Sequence, residues 1–489
     1  MKRWARTLSV LSIGIVSVLL IVCAGCSTSS DPPPSISNLN SSTTPSSPVG
    51  LAIEINGNDF LSAPGQVVFT QGNIAATVTP SASGWSNNSI IAVVPSGNGT
   101  TAFTVPGNVT VTVKTAGGTS NGMTLALVQN VTFDVNNVTW TTTTSLPAAL
   151  TGLRAVAVPS SSTSAFVVVT GGFNGTSNTT TVLSNTLAVD GTVGASWTSI
   201  STNPLPASRA HHGMVVAHPG NSLAPIGSAF IYVIGGQANS TDTPGGTNTV
   251  YMASVNLNTG AVGSWTTLSS TLPQPLLGPA VALYNGHVYV AGGLTTNGVP
   301  SAAVYSAPVN ADGTLGSWTT SANPYPVAVA FATAFGFGGN LYVLNGDPNS
   351  SNDPNAQGVS GIKQVNFAAA HNGVVGTWTS TQQTIKARKK QITWLSFGQV
   401  IDAEGIYDGS PGSMELERSS INADATLASF NGITSSVNQI NANVYNAAAI
   451  VSPLQSASGN PRFLLLGGQA FATTPPGSLS NAVYVNNAP

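Results

Sequence analysis

The chain has 489 residues, of which 13 are Lys or Arg and 15 are Asp or Glu, so charged residues make up only 6 % and the formal net charge is -2. Nucleic-acid binding depends on clustered cations that neutralise phosphates, and this composition argues against it. The 42 % of hydrophobic residues can form a core, while 52 Gly and 31 Pro interrupt it with turns. An all-β protein is therefore expected, with roughly two to four domains of about 150 residues each.

The first 26 residues have the order of a bacterial export signal. Lys2, Arg3 and Arg6 precede an uncharged apolar stretch at residues 8–22. A basic start followed by such a stretch is typical of a segment that directs export and is then removed. The sequence therefore predicts a signal peptide over residues 1–26.

Ala24, Gly25 and Cys26 end this segment and resemble the lipobox of bacterial lipoproteins, although Cys23 stands where the motif usually has Leu. The resemblance implies that Cys26 is acylated. Ser27 after it implies an exported lipoprotein in the outer membrane, on its periplasmic or surface side. Cleavage without lipidation is the alternative. Cys23 and Cys26 are the only cysteines, so no disulfide is expected in the exported part.

Residues 27–32 begin a Ser-, Thr- and Pro-rich stretch of the kind that stays flexible, and a block of short strands at 33–129 follows. In that block Val109, Val111 and Val113 alternate with polar residues, which predicts a strand with one face in a core. The block resembles an IPT/TIG domain, an immunoglobulin-like sandwich, and the resemblance implies a spacer or interaction module. Glu54 and Asp59 are expected to be solvated strand residues rather than metal ligands.

The remaining residues, 130–489, contain a repeat. A strand ending in a glycine pair or its relic precedes a phrase ending in Trp or Phe, with successive aromatic residues 68, 53, 60 and 52 positions apart. These aromatic residues are Trp197, Trp265, Trp318, Trp378 and Phe430. Periods in this range are typical of propeller repeats.

The repeat resembles the kelch repeat, which implies a β-propeller of stacked four-stranded blades. Six glycine-ended strands occur, but the last, followed by residues 481–487, has no Trp phrase after it. An orphan copy with Trp140 stands ahead of the first repeat. We therefore predict six blades, closed by the strand around Trp140 lying beside residues 481–487.

In such a blade the loops after the glycine pairs and those before the innermost strands lie at the same end. Kelch proteins that bind peptides use this face, and loops on a rigid scaffold often carry function. It is expected to collect eight candidate binding residues: Arg154, Arg209, His211, His212, Gln237, Asp347, Lys389 and Lys390. An alternative for Arg209 is a purely structural hydrogen-bond bridge between blades.

Charged residues concentrate in the fifth repeat, between Lys386 and Asp424. One interpretation is a solvated face of mutually paired charges, since exposed ion pairs are common and contribute little to stability. The other is that Lys389 and Lys390, with Asp347, form the rim of a polar pocket.

The sequence favours a non-enzymatic, membrane-anchored binding or scaffold protein with a glycan or protein partner. His211 and His212 would point to opposite faces of a strand, so they are not expected to share a metal. No metal, cofactor or catalytic residue is predicted, and Asp402 and Glu404 are expected on the turn side of a blade. The alternative is a metal-independent, carbohydrate-active propeller enzyme.

Overall fold

A computed structural model describes most of the chain after the predicted signal peptide. The described residues are 31–40, 45–135, 138–161, 163–218, 228–238, 245–349, 361–403, 405–407, 416–422, 424–432, 444–454, 460–470 and 477–487. Their regular structure is β-strand, apart from one short 3-10 turn at Ala82–Gly84. No helix among them is long and apolar enough to cross a membrane. Cys26 and the predicted signal peptide lie outside the described residues.

Two sheets form the N-terminal part of the structure and are called the N-terminal sheets. The smaller contains, in spatial order, Ser35–Leu39, Ala52–Asn58 and Ser89–Val93. The larger contains Ser46–Pro48, Met123–Val128, Gly107–Thr115, Gln66–Gln71 and Ile74–Val78, with Gly118–Thr119 paired to Gly107–Thr115. Both contribute to one apolar core, where Val109, Val111 and Val113 are buried as their alternation predicts.

Six antiparallel sheets follow in the described part of the chain, five with four strands and one, sheet 4, with five. Sheet 1 contains Arg154–Pro159, Ala165–Thr170, Val182–Leu187 and Thr198–Ser199; sheet 2 contains Gly213–Ala217, Ser228–Ile234, Val250–Asn256 and Thr266–Thr267; sheet 3 contains Ala280–Tyr284, His287–Ala291, Val304–Pro308 and Thr319–Thr320. Sheet 4 contains Thr333–Phe337, Asn340–Leu344, Val365–His371 and Thr379–Ser380, with Val374–Val375 also paired to its third strand. Sheet 5 contains Ile392–Ser396, Gln399–Ala403, Glu417–Ser420 and Asn431–Gly432.

Sheet 6 joins the two ends of the repeat region. Its strands are Ala448–Val451, Phe463–Leu466, Val483–Asn487 and, from the other end of the region, Thr139–Thr142. Trp140 lies opposite Asn486 in that pairing. Two short strand pairs also lie outside the six sheets in the described part of this region: Arg388–Lys389 with Ile406–Tyr407, and Val444–Tyr445 with Gln469–Ala470.

The apolar cores of this region lie between sheets and not within them. Each sheet is separated from the next by one cluster of buried residues, and a sixth cluster lies between sheet 6 and sheet 1. Each sheet buries both faces against neighbours because it cannot cover them alone. We call sheets 1–6 and their connections the wheel.

The Trp residues of the repeat tie neighbouring sheets together at the outer edge. The Nε1–H of Trp197, Trp265, Trp318 and Trp378 donates to a backbone oxygen that follows the outer strand of the preceding sheet, at 3.0 to 3.1 Å. Phe430 has no ring N–H, so sheet 5 lacks this bond.

A ring of six backbone hydrogen bonds surrounds the axis of the wheel. Each member stands two residues before the first strand of its sheet, has a φ between 53° and 64°, and donates its N–H to the preceding member's carbonyl at 2.8 to 3.3 Å. The members of this axial ring are Gly152, His211, Gly278, Phe331, Lys390 and Asn446. Left-handed backbone is costly for residues other than Gly and Asn, so His211, Phe331 and Lys390 are held in a conformation that they do not prefer.

The N-terminal sheets lie against the wheel at the end that carries the turns between first and second strands. Ile91 packs into the cluster between sheets 3 and 4, and Ser86 Oγ donates to Asn372 Oδ1 at 3.5 Å. We call this the turn end, and the opposite end, where second strands stop at the glycine pairs, the glycine end.

Glu54 lies in this contact, and the expectation that it is solvated is wrong. It is only 5 % exposed, since the wheel covers the strand face that would otherwise meet water. Burial raises the pKa of its carboxyl to about 7, and hydrogen bonds from the Asn56 side chain and the Asn285 backbone lower it less.

Candidate functional site

The glycine end of the wheel holds a cavity on the axis, bounded by the first strands of all six sheets. Its volume is about 180 Å³. Two cationic residues, Arg154 and Lys390, line it together with Phe331, Gln391 and Asn446, and none of the described lining residues is Asp or Glu. We call it the axial cavity.

Lys390 is positioned by its place in the axial ring. Its Nζ lies 4.8 Å from the ring centroid of Phe331 and 5.9 Å from that of Tyr445. Aromatic faces at these distances attract a cationic nitrogen. Lys390 therefore places its side-chain nitrogen between two aromatic rings at the cavity.

Arg154 begins the first strand of sheet 1 and adds a second cation. Its Nη1 donates to the backbone oxygen of Leu153 at 2.9 Å. Burial lowers the pKa of the guanidinium to about 10, which still leaves it charged at neutral pH. The axial cavity therefore carries positive charge on two of its sides.

His211 and His212 lie close to these cations, in the two positions before the first strand of sheet 2, and the φ of His211 is positive. His212 Nε2 is 2.8 Å from Thr170 Oγ1, and the His211 ring packs edge-on against Phe331 at 5.6 Å. Burial, with the nearby cations, lowers the pKa of each imidazole well below its usual value. Both are neutral at pH 7.

Buried nitrogens near the axis that have no hydrogen-bond partner among the described residues include His211 Nδ1, His212 Nδ1 and Asn446 Nδ2. A buried polar atom without a partner costs about 1 to 3 kcal/mol, so a ligand that supplies one is favoured here.

The structure places Arg209 away from the cavity. The residue is buried, and its Nη2 donates to Thr249 Oγ1 and, at 2.7 Å, to Tyr251 Oη. Its guanidinium carbon lies 4.7 Å from the centroid of the Tyr251 ring. Its contacts hold the segment that enters sheet 2 against the third strand of that sheet.

Gln237, Asp347 and Lys389 are also buried at the glycine end. The Gln237 N–H donates to the Ala210 carbonyl at 2.8 Å, and Lys389 Nζ lies 2.7 Å from Asp347 Oδ2. A buried, closed ion pair does not form the open rim that the sequence suggested for Lys389 and Asp347.

Five charged residues of the fifth repeat are buried, so the interpretation as a solvated face is wrong for Arg388, Lys389, Lys390, Asp402 and Glu417. Lys386 and Arg418 are half-buried, and Asp424 is exposed. Arg388 Nη2 lies 3.0 Å from Glu417 Oε1, and Arg388 Nε lies 3.6 Å from Asp402 Oδ2, all three residues being at most 1 % exposed. Burial raises the pKa of Asp402 to about 7, Arg388 lowers it, and Glu417 raises it further. Asp402 faces the gap to sheet 4, where Asn345 Nδ2 donates to it at 2.9 Å. Glu404 lies outside the described residues.

Of the eight predicted residues, the structure brings Arg154 and Lys390 into the lining of one cavity, with His211 and His212 nearby. Sequence reasoning missed Phe331, Gln391 and Asn446. Phe331 and Asn446 could have been found from their position in the sequence, because every axial-ring residue stands two residues before the first strand of its sheet. No group of three or more His, Cys, Asp or Glu in the described part of the chain is placed to hold a metal.

Comparison with known proteins gives limited matches. No protein-family model matches the chain. A segment of 137 residues is 32 % identical to Beta-scruin of Limulus polyphemus, over 27 % of this chain and only 12 % of the length of that relative. The solved structure of YjhT matches at 13 % identity and a TM-score of 0.44, over 71 % of this chain and 99 % of YjhT. Beta-scruin is a kelch-repeat protein, and with the all-β architecture this match supports a kelch-like β-propeller.

Proposed function

We propose that this protein is a lipid-anchored binding or scaffold protein of the bacterial outer membrane, whose wheel is a six-bladed propeller that binds a partner at its glycine end. In this proposal residues 1–26 are a signal peptide ending at Cys26, residues 33–129 are an Ig-like IPT/TIG domain, and residues 130–489 are the propeller, closed by the strand around Trp140. Six antiparallel sheets of four or five strands and six inter-sheet cores support the blade number.

The observation that carries the binding site is the positive lining of the axial cavity. Arg154 and Lys390 reach it from different sheets, and the described lining contributes no carboxylate. Opposite charge and hydrogen-bond donors are what an anionic group requires. The ligand is therefore expected to present a carboxylate or a similar anion.

The position of the N-terminal sheets also favours the glycine end. They contact the wheel at its turn end, which leaves the end with the axial cavity facing away from them. A partner can then approach the cavity without displacing the N-terminal sheets.

An acidic glycan fits this site best. The cavity is smaller than the roughly 300 to 1,000 Å³ that is usual for drug-sized ligands, so it would take one sugar ring or one acidic side chain. The polar donors around it suit the hydroxyls of a sugar as well as its carboxylate. An acidic segment of a protein is the alternative partner.

The test is binding to an array of neutral and uronic-acid glycans and acidic peptides, followed by calorimetry. Lys390→Asn is the informative variant, because Asn446 shows that the axial ring accepts Asn in this conformation. We expect uronic-acid glycans to bind the native protein and to bind Lys390→Asn at least tenfold more weakly. The exposed Lys114→Gln is the matched control.

Absence of binding across the array, or equal affinity of native protein and Lys390→Asn, would overturn the proposed site. Binding of acidic peptides alone would indicate that the partner is an acidic segment of a protein and not a glycan. No observation on the described residues favours the enzymatic alternative. Asp402 and Glu417 face Arg388 in the gap between sheets and do not line the axial cavity.

Mass spectrometry of the membrane fraction tests the anchor. An N-terminal peptide beginning at an acylated Cys26 is expected, and an unmodified N-terminus would exclude lipidation.

A further inference from the structure

A second cavity, larger than the axial one, lies between the N-terminal sheets and the turn end of the wheel. Its volume is about 410 Å³, within the range of small-molecule sites. Residues from both sides line it, so it exists only while the two parts are in contact. We call it the interface cleft.

The lining of the interface cleft combines polar and apolar surface. None of the described residues that form it is Asp, Glu, Lys or Arg, and side-chain amides predominate among its polar groups. They include Asn56, Asn58 and Asn88 on one wall and Asn285, Asn310 and Asn372 on the other. His287 joins them, and burial lowers the pKa of its imidazole, so it adds no charge at neutral pH.

Side-chain amides have a chemistry that suits hydroxyl groups. Each carries two N–H donors and a carbonyl acceptor, and a sugar hydroxyl both donates and accepts. An ionic ligand would lose its hydration here without meeting an opposite charge, which is unfavourable. The lining therefore selects a neutral, polyhydroxylated molecule.

Part of this amide set is already engaged and part is accessible. Asn310 Nδ2 donates to Thr314 Oγ1, and Asn372 Oδ1 accepts from Ser86 Oγ. Asn58 and Asn88 are exposed, and both belong to the wall formed by the N-terminal sheets. Apolar side chains such as Leu283 and Val309 supply surface for the C–H faces of a sugar.

We propose that the interface cleft is a binding site for a neutral oligosaccharide, separate from the anion site at the glycine end. The ligand bridges the N-terminal sheets and the wheel, since it contacts both walls. The cleft has room for more than one sugar unit, whereas the axial cavity has less than half its volume.

The experiment uses the whole exported chain and a panel of neutral trisaccharides: cellotriose, maltotriose, xylotriose and N,N′,N″-triacetylchitotriose. Titration calorimetry measures each Kd for the native protein, for the double variant Asn58→Ala/Asn88→Ala and for Asn108→Ala. Asn108 is the matched control, an exposed Asn on the larger N-terminal sheet that does not line the cleft.

We expect at least one trisaccharide to bind with a Kd below about 1 mM. The double variant should weaken it at least tenfold, and Asn108→Ala should leave it unchanged. No binding across the panel, or equal affinity of the double variant and native protein, would overturn the proposal. Lys390→Asn should not affect this binding, so failure here is distinguishable from failure of the axial site.

Discussion

Two gaps between neighbouring sheets of the wheel differ in the side chain at one equivalent buried position, which is apolar in one gap and charged in the other. Between sheets 2 and 3 the residue two positions before the axial ring is Leu276, which is fully buried in an apolar cluster. Between sheets 4 and 5 the equivalent residue is Arg388, equally buried, with Asp402 and Glu417 around it. The backbone carbonyl of each accepts the same bond, from Gly236 at 2.9 Å and Gly346 at 3.0 Å.

The comparison shows that closure of the wheel depends on backbone geometry, while the side chain between sheets is free to vary if its partners vary with it. An apolar side chain needs only apolar neighbours. A guanidinium needs every neighbouring charge and hydrogen bond to be matched, because an uncompensated buried charge is costly. The gap between sheets 4 and 5 should therefore be more sensitive to single substitutions and to pH.

The largest effect is expected for Arg388→Leu. This variant places Leu between sheets 4 and 5, as Leu276 lies between sheets 2 and 3. Asp402 and Glu417 would then be buried without their cation, and we expect a loss of about 3 to 5 kcal/mol in the free energy of unfolding. Denaturant unfolding of the purified protein measures it.

Two comparisons control this experiment. Leu276→Met, at the equivalent position, should cost less than about 1.5 kcal/mol. The triple variant Arg388→Leu/Asp402→Asn/Glu417→Gln should recover much of the loss. Native-like stability of Arg388→Leu alone would show that the three charges do not act as one electrostatic unit.

A second effect is a dependence of stability on pH. Asp402 and Glu54 both have folded pKa values raised to about 7, from 3.8 and 4.5. A raised carboxyl pKa means that the folded state retains a proton that the unfolded state has lost, so stability is greatest below the unfolded value and falls as pH rises towards 7. For Glu54 the shift corresponds to about 3 kcal/mol.

The variants Asp402→Asn and Glu54→Gln separate the two contributions in unfolding curves measured from pH 4 to pH 8. Each variant should reduce the fall in unfolding free energy with rising pH, and each should be more stable than the native protein at pH 8. If Glu54→Gln alone removes the whole pH dependence of stability, the charged residues between sheets 4 and 5 are insensitive to pH. The two gaps would then respond to pH in the same way.

The smallest effect concerns the outer edge of the sheets. Trp265→Phe removes one indole hydrogen bond to Asn203 while keeping an aromatic ring, as Phe430 does naturally in sheet 5. We expect a loss of about 1 kcal/mol in unfolding free energy. A loss beyond about 3 kcal/mol would indicate that the ring volume matters more than the bond, and Phe430→Trp would then be expected to stabilise sheet 5.

Much of the all-β, propeller-like architecture was accessible from the sequence, because it depends on residue types that recur. Glycine pairs follow second strands wherever backbones must approach closely, and Trp recurs wherever an outer gap must be filled. Trp140 was recognisable as a displaced copy on the same ground. These are requirements on side chains, so they produce a recurring pattern of residue types in the sequence.

The axial ring and the buried charges left no such pattern. Gly152, His211, Phe331 and Asn446 share no chemical property, because the ring uses only their backbone atoms. Arg388 and Glu417 lie 29 positions apart, so their mutual neutralisation could not be inferred from local composition. Glu54 was misassigned for a related reason, since the surface that covers it comes from sheets much later in the chain.

The axial ring has an electrostatic consequence. Its six N–H groups all donate in the same rotational sense, so the peptide dipoles run head to tail around a circle and their in-plane components largely cancel. A helix terminus, by contrast, adds its dipoles along one direction and attracts anions by backbone alone. The electrostatic field in the axial cavity is therefore set by side chains, chiefly those of Arg154 and Lys390, and exchanging them would change which ligand charge it favours while leaving the circle of backbone bonds intact.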